Sequence, residues 1–216
     1  DALNIDNSTD PDRDRWHYFK GLRTMLADRG FDVFHSAVSW SAGVDTRACE
    51  LKRNILRILE KSRAPKVNLI AHSMGGLDAR HMLYNFRASD PLSDRVASLT
   101  TISTPHEGSP FADWGIANLP LLVPVAKKMG LHLDGIHDLT TERCQQFNNH
   151  PDVVRFERSM ETAIRFQTFA GVQTFAKVSE ALKFSHTIIK KKAGDNDGLV
   201  SVASARWRDR YFKGIL

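Results

Sequence analysis

The segment Val67-Asn68-Leu69-Ile70-Ala71-His72-Ser73-Met74-Gly75-Gly76-Leu77 narrows the fold more than any other stretch of the chain. A short apolar run reads as a strand, a polar and glycine-containing turn follows, and about Met74 to Phe86 reads as a helix. A serine at such a strand-to-helix turn is forced into a strained backbone, so small residues are needed two positions before and two after it, here Ala71 and Gly75. The Ser73 hydroxyl is then displayed at the top of a sheet and at the start of a helix, where the amide of Met74 can donate to a developing oxyanion. The plainer alternative is a glycine-rich helix start in which Ser73 only caps the helix.

The flanking sequence supplies a matching rhythm. Pro11 to Arg29 carries Trp16, Phe19, Leu22 and Leu26 at helical spacing, with Gly30 as the stop. Asp32 to Val38 reads as a strand. Thr46 to Lys61 places Ala48, Leu51, Ile55, Ile58 and Leu59 on one helical face, with Asp45 as a candidate N-cap. Val96 to Ile102 reads as a strand, Val153 to Ile164 as a helix, and Phe166 to Gly171 and Thr187 to Lys192 as strands. Alternation of this kind predicts an α/β fold, a mainly parallel sheet with helices on both faces and chemistry at the carboxyl ends of the strands. At 216 residues the chain reads as a single domain over 1–216, with an insertion at about 110–150 where the rhythm breaks.

Several classes are excluded or disfavoured. Thirty Lys and Arg against twenty-five Asp and Glu leave a net charge of +5. The basic residues are scattered, with Lys190-Lys191-Lys192 the one run, so nucleic acid is not an expected partner, whereas anionic groups such as lipid head groups suit the charge. The longest apolar stretch, Trp114 to Val125, is shorter than about 18 residues and contains Pro120 and Pro124, which rules it out as a regular membrane-spanning helix. Cys49 and Cys144 fit neither a CxxC pair nor a disulfide scaffold. No metal-ligand cluster is apparent.

A second and a third motif join the first: Thr104-Pro105-His106-Glu107-Gly108-Ser109, and Asp195-Asn196-Asp197-Gly198-Leu199-Val200-Ser201. With Val67 to Gly76 they resemble the α/β-hydrolase triacylglycerol lipases of the Pseudomonas and Burkholderia type and their fungal, partly mitochondrial, relatives. Asp138-Leu139-Thr140-Thr141 and Gln146-Phe147-Asn148 resemble the stretch that follows the lid in that family. The resemblance covers most of the chain and is weakest in the insertion. It implies that Ser73 is the nucleophile and Asp197 the triad acid. A carboxylate on the tight Asn196-Asp197-Gly198 turn is suited to orienting an imidazole, although a plain turn aspartate is the alternative and Asp195 is the neighbouring one. The compartment is not set by the sequence, secreted or mitochondrial being the leading options, and the mechanism needs no cofactor. The calcium of the bacterial members is not expected from the residues here.

The order in this superfamily is serine, acid, histidine, and none of the residues from 198 to 216 is a histidine. All nine histidines lie upstream: His17, His35, His72, His81, His106, His132, His137, His150 and His186. His72 should point away from the serine hydroxyl, His106 resembles a structural position, and His186, placed just before a strand, is the nearest stand-in. The family's His-Gly oxyanion loop is absent as well. Both absences are accounted for together if the chain is an internal piece of a longer lipase, truncated at both ends, with the catalytic histidine outside it.

The stretch Trp114 to His137 reads as an amphipathic lid, with Leu119, Leu121, Leu122 and Val125 as substrate or lid residues and with transient contact to a lipid surface. A helical insertion packed on the core is its alternative. The function expected is that of a serine ester hydrolase, a triacylglycerol lipase or carboxylesterase acting on lipid or small acyl esters. An acyltransferase or thioesterase on the same fold, and a catalytically silent binding protein, are the rival readings.

Overall fold

The computed structural model describes residues 5–6, 21–39, 42–89, 92–118 and 133–216. Two short strands, β1 (Ile5–Asp6) and β2 (His35–Ser36), pair antiparallel. The sheet that matters for the site has four strands, β3 (Val67–His72), β4 (Val96–Ile102), β5 (Arg165–Ala170) and β6 (Phe212–Ile215), in that spatial order. All three pairings are parallel, with Ala71 opposite Thr101 and Thr101 opposite Thr168. Parallel neighbours need crossover connections. Helix α3 (Met74–Asn85) joins β3 to β4. The longer return to β5 carries α4 (Pro110–Ala117), α5 (Leu133–Asp138), α6 (Thr141–Asn149) and α7 (Pro151–Met160). Helices α8 (Lys183–Ala193) and α9 (Val202–Ala205) precede β6. The N-terminal part adds α1 (Leu22–Ala27) and α2 (Val44–Ser62).

The core follows from the apolar stripe of α2. Ala48, Ile55 and Leu59 pack with Ala79, Met82 and Leu83 of α3, and both helices lie against Val96, Leu99 and Phe166 of the sheet. Trp207 and Tyr211 close the same cluster from the segment before β6. On the opposite side of β3, Asn68 and Ile70 are exposed, Ile70 at 46%. Neighbouring polar side chains on that side bond across the strands, Ser98 Oγ to Asn68 at 2.8 Å and Thr100 Oγ1 to Gln167 at 3.4 Å.

The α/β class with a mainly parallel sheet agrees with the sequence reading, and so do the bounds of β4 and β5 to within a residue. Three local expectations are corrected. Thr187 to Lys192 is not a strand but the body of α8, which Gly194 ends at φ 80°. Within it Ser185, His186 and Ile189 are buried at helical spacing. Helix α2 is capped by Gly43 rather than Asp45, which falls inside its first turn. At Asp32 to Val38 the strand is only His35–Ser36. The helix expected over Pro11 to Arg29 is described only as α1, because residues 11–20 lie outside the described set, as do the lid residues Leu119, Leu121, Leu122 and Val125.

Candidate active site

The carboxyl ends of β3, β4 and β5 are neighbours, and the chain turns sharply at each. Ser73 follows β3 with φ 53° and ψ −132°, a backbone that a non-glycine residue adopts only under strain. Its amide continues the ladder by donating to Ile102 O at 3.0 Å, and its carbonyl accepts from Gly76 N at 3.1 Å. Helix α3 begins at the next residue, Met74, and Ser73 makes no side-chain capping bond to it. The first amides of a helix have no partner in the preceding turn of the helix, and that of Met74 is the first of α3. The capping alternative is thus not what the hydroxyl does.

Ala71 and Gly75, the small pair expected around Ser73, lie beside each other, and a closer contact falls on the next residue, Gly76. A Cβ at Gly75 would meet only Ala71 Cβ, at 4.0 Å, an ordinary contact. A Cβ at Gly76 would lie 2.2 Å from Thr104 Oγ1 and 2.9 Å from Thr104 Cβ, which no packing tolerates. Gly76 is the residue that lets α3 start against the turn after β4.

Asp197 sits on the loop between α8 and α9. Its Oδ1 accepts the amides of Leu199 and Val200, both at 2.9 Å. Asn196, 1% exposed, holds the turn from below: its Oδ1 accepts Gly198 N at 2.9 Å and its Nδ2 donates to Gly194 O at 3.0 Å. Gly198 takes the left-handed backbone at φ 111°. The neighbouring alternative, Asp195, pairs with Lys190 on the exposed surface, and that ammonium holds its carboxyl below the usual carboxylate range. Burial lowers the His72 imidazole from its ordinary value, while the charge of Asp197 acts in the opposite sense. The end of β3 and the acid turn therefore share one electrostatic neighbourhood.

The second motif braces these turns. Gly108, at φ 80°, lets the chain pass where any Cβ would lie 2.5 Å from Thr141 Cα. Ser109 Oγ donates to Leu199 O at 2.9 Å, and Ser204 Oγ donates to Gly108 O at 2.7 Å, so the Thr104–Ser109 loop is tied directly to the acid turn. His106 is fully buried and stacks on Trp207 at 4.8 Å between ring centres. Its Nε2 lies 2.9 Å from Thr101 Oγ1 and its Nδ1 3.3 Å from Arg80. Burial first, then Arg80 and Arg208, push its pKa well below the ordinary value, so it is a neutral structural ring. Arg80 also bonds Glu157 at 2.6 Å and Asn148 at 2.7 Å. That network, with Arg47 at 2.8 Å from Asp78, escaped the sequence reading. A signal did exist, because Arg47 falls on the same stripe as Leu51, Ile55 and Ile58.

Three further histidines have partners of their own. His186 is buried on α8 with Nε2 3.0 Å from Gln173 O, so the stand-in role expected from a pre-strand position is not supported. His81 stacks on Phe147 at 3.8 Å, and His150 caps α7 through Nδ1. Among the described residues there is no group of three His, Cys, Asp or Glu side chains suited to a metal ion, and no helix long and apolar enough to cross a membrane. A cavity of about 170 Å³ lies among α3, α5 and α6, lined by Leu77, Arg80, His81, Cys144 and Phe147. It lies beside the Arg80 network and not over Ser73.

Comparison with known proteins agrees with this fold. The chain matches the alpha/beta hydrolase fold family over residues 8–124. It is 29% identical over 209 residues to triacylglycerol lipase 2 of Saccharomyces cerevisiae, covering 92% of this chain and 59% of that protein. It is 38% identical over 100 residues to a triacylglycerol lipase of Burkholderia plantarii, covering 45% of this chain and 26% of that one. The chain thus spans less than two thirds of these relatives. Among solved structures, the mature form of a Bacillus licheniformis lipase superposes with a TM-score of 0.71 at 23% identity, covering 92% of this chain and 75% of that one. Staphylococcus hyicus lipase does so with a TM-score of 0.61 at 20% identity, covering 89% and 73%.

Proposed function

The chain belongs to the α/β-hydrolase fold family, and from that membership we propose that it carries the core of a serine ester hydrolase acting on acyl esters, of the triacylglycerol lipase or carboxylesterase kind. The observation that carries the reading is Ser73, held at φ 53° between a parallel strand and a helix with its hydroxyl uncommitted to capping. Strain of this kind is maintained where it serves to present a side chain. The substrate class is supported by the relatives, several of which are triacylglycerol lipases.

In this mechanism Ser73 Oγ attacks the ester carbonyl and forms the new C–O bond, while the carbonyl electrons move onto oxygen and are met by the Met74 amide. An imidazole oriented by Asp197 takes the serine proton and returns it to the departing alcohol. Water then attacks the acyl-serine, releasing the carboxylic acid and restoring the hydroxyl. His81, His106, His150 and His186 do not supply that imidazole, since each is engaged elsewhere. The segment holding Leu119, Leu121, Leu122 and Val125 fits a lid whose apolar side meets a lipid surface.

The test is reaction of the protein, in a form that includes the histidine partner of Asp197, with a fluorophosphonate probe, the adduct being located by mass spectrometry. A single adduct on Ser73, absent from Ser73→Ala, is the expected result. A folded protein that takes no label while a known hydrolase does so in parallel would overturn the assignment.

A further inference from the structure

Two exposed phenylalanines flank the acid turn in sequence, and the mechanism above gives them no task. Phe175, 51% exposed, lies on the loop that leaves the carboxyl end of β5, and Phe184, 55% exposed, lies in the first turn of α8. The Lys183 ammonium sits 5.4 Å from the centre of the Phe175 ring. Phe184, the next residue, meets Trp114 edge-on at 4.9 Å between ring centres, and Trp114 stacks on Phe111. Aromatic side chains thus follow one another from α4, across the start of α8, to the Phe175 loop.

The loop and the helix are both fastened to the acid turn. Gln173 N donates to Asn196 O at 3.0 Å, and Ser185 Oγ donates to Gly198 O at 2.6 Å. Whatever holds this face is therefore held beside Asp197. Helix α8 buries Ser185, His186 and Ile189, and it exposes Phe184, Thr187 and Lys191, which share one face at i, i+3 and i+7. The charge of the stretch is one-sided, with five lysines against two carboxylates from Val172 to Asp195. Glu180 and Asp195 pair with Lys183 and Lys190, whereas Lys177, Lys191 and Lys192 are exposed and have no ion pair among the described residues. Exposed rings beside lysines that no carboxylate neutralises suit a lipid interface, where rings enter the acyl boundary and ammonium groups reach the phosphates.

We propose that Phe175, Phe184 and the outer face of α8, with Lys177 and Lys191, form a docking surface for an anionic phospholipid layer, which it holds beside the acid turn. The proposal deepens the lipid ester reading by naming the surface on which substrate is met, and it rests on that reading only for its consequence in turnover, since docking needs no reaction. A neutral layer offers the rings the same acyl boundary but no charge to meet the lysines, so the surface selects anionic layers.

The test is co-sedimentation of the protein, in the form that includes the histidine partner of Asp197, with two kinds of vesicle: phosphatidylcholine alone, and phosphatidylcholine with phosphatidylglycerol in equal parts. Two double variants are compared with wild type, Phe175→Ser with Phe184→Ser and Lys177→Gln with Lys191→Gln. Wild type is expected to partition onto the anionic vesicles about ten-fold better than onto the neutral ones, and each variant to lose about ten-fold on the anionic vesicles with its urea-unfolding midpoint unchanged. A partition that either variant leaves unmoved overturns the proposal, because docking requires both the rings and the charge. Equal partition of wild type onto the two vesicles overturns it as well. So does a lipid-free dimer that becomes a monomer in the phenylalanine variant, which gives the face to a second copy of the chain. Should wild type take no fluorophosphonate label while both variants lose vesicle binding, the docking surface stands and its link to catalysis falls with the hydrolase reading.

Discussion

The turns that carry Ser73 and Asp197 sit at the same edge of the sheet and place their strain differently. At the first, the left-handed backbone belongs to Ser73 itself, and the side chain is left without a capping bond. At the second, the positive φ is delegated to Gly198, and Asp197 is held by two amide bonds to one oxygen. A nucleophile must keep its reacting atom uncommitted, so its position has to be imposed through the backbone. A carboxylate can surrender one oxygen to the fold and keep the other for an imidazole.

If this contrast is right, the largest effect belongs to the acid turn's chemistry. Asp197→Asn keeps an oxygen for the Leu199 and Val200 amides, so the melting temperature is expected to change little while Ser73 labelling slows by roughly 10⁴-fold, as when a triad acid loses its charge. A parallel loss of stability would mean that the turn, not the charge, is what Asp197 supplies. The serine turn is tested through its supports. Gly76→Ala forces a Cβ to within 2.2 Å of Thr104 and is expected to cost about 3 kcal/mol in urea unfolding, whereas Gly75→Ala should be near neutral. Equal effects would erase the distinction between the two glycines.

A smaller effect separates the edge from the body behind it. Burial, then the charge of Arg80, depresses the His81 pKa to about 4, against 6.5 for the unfolded chain. Below pH 6.5 the unfolded chain takes up a proton that the folded one refuses, so stability is lost as pH falls from 6.5 towards 4. Between pH 7 and pH 5 the loss is about 2 kcal/mol. His81→Phe keeps the stack on Phe147 and should flatten that part of the urea-stability profile, with His106 contributing in the same direction in both proteins. The smallest effect is expected at Gly198→Ala, about 1–2 kcal/mol, from strain at φ 111° and contacts with Val178 and Leu182. An effect at Gly198 as large as that at Gly76 would show the acid turn to be no less tightly built than the serine turn.

The strand-serine-helix unit, the parallel α/β class and the bounds of β4 were legible because each rests on local pattern: an apolar run, a helical stripe, a glycine pair after a serine. The same logic failed at Thr187 to Lys192, where a short run with β-branched residues fits a strand or a buried helix equally well. Periodicity alone does not decide such a segment. The packing of Ser185, His186 and Ile189 did. Motif spacing singled out Ala71 and Gly75, whereas the tight contact at Gly76 comes from Thr104, many residues away.

The sequence by itself marked the strand-serine-helix unit and the Asn196-Asp197-Gly198 turn, and roughly where the chain turns. Local propensity and motif order act over a few residues and are written in the chain. Tertiary structure alone decided that His106 is locked between Arg80 and Thr101, and that Ser109 and Ser204 tie the second motif to the third. Those facts depend on contacts between segments far apart in sequence. Such contacts are set by how helices and strands pack, and no local rule encodes them.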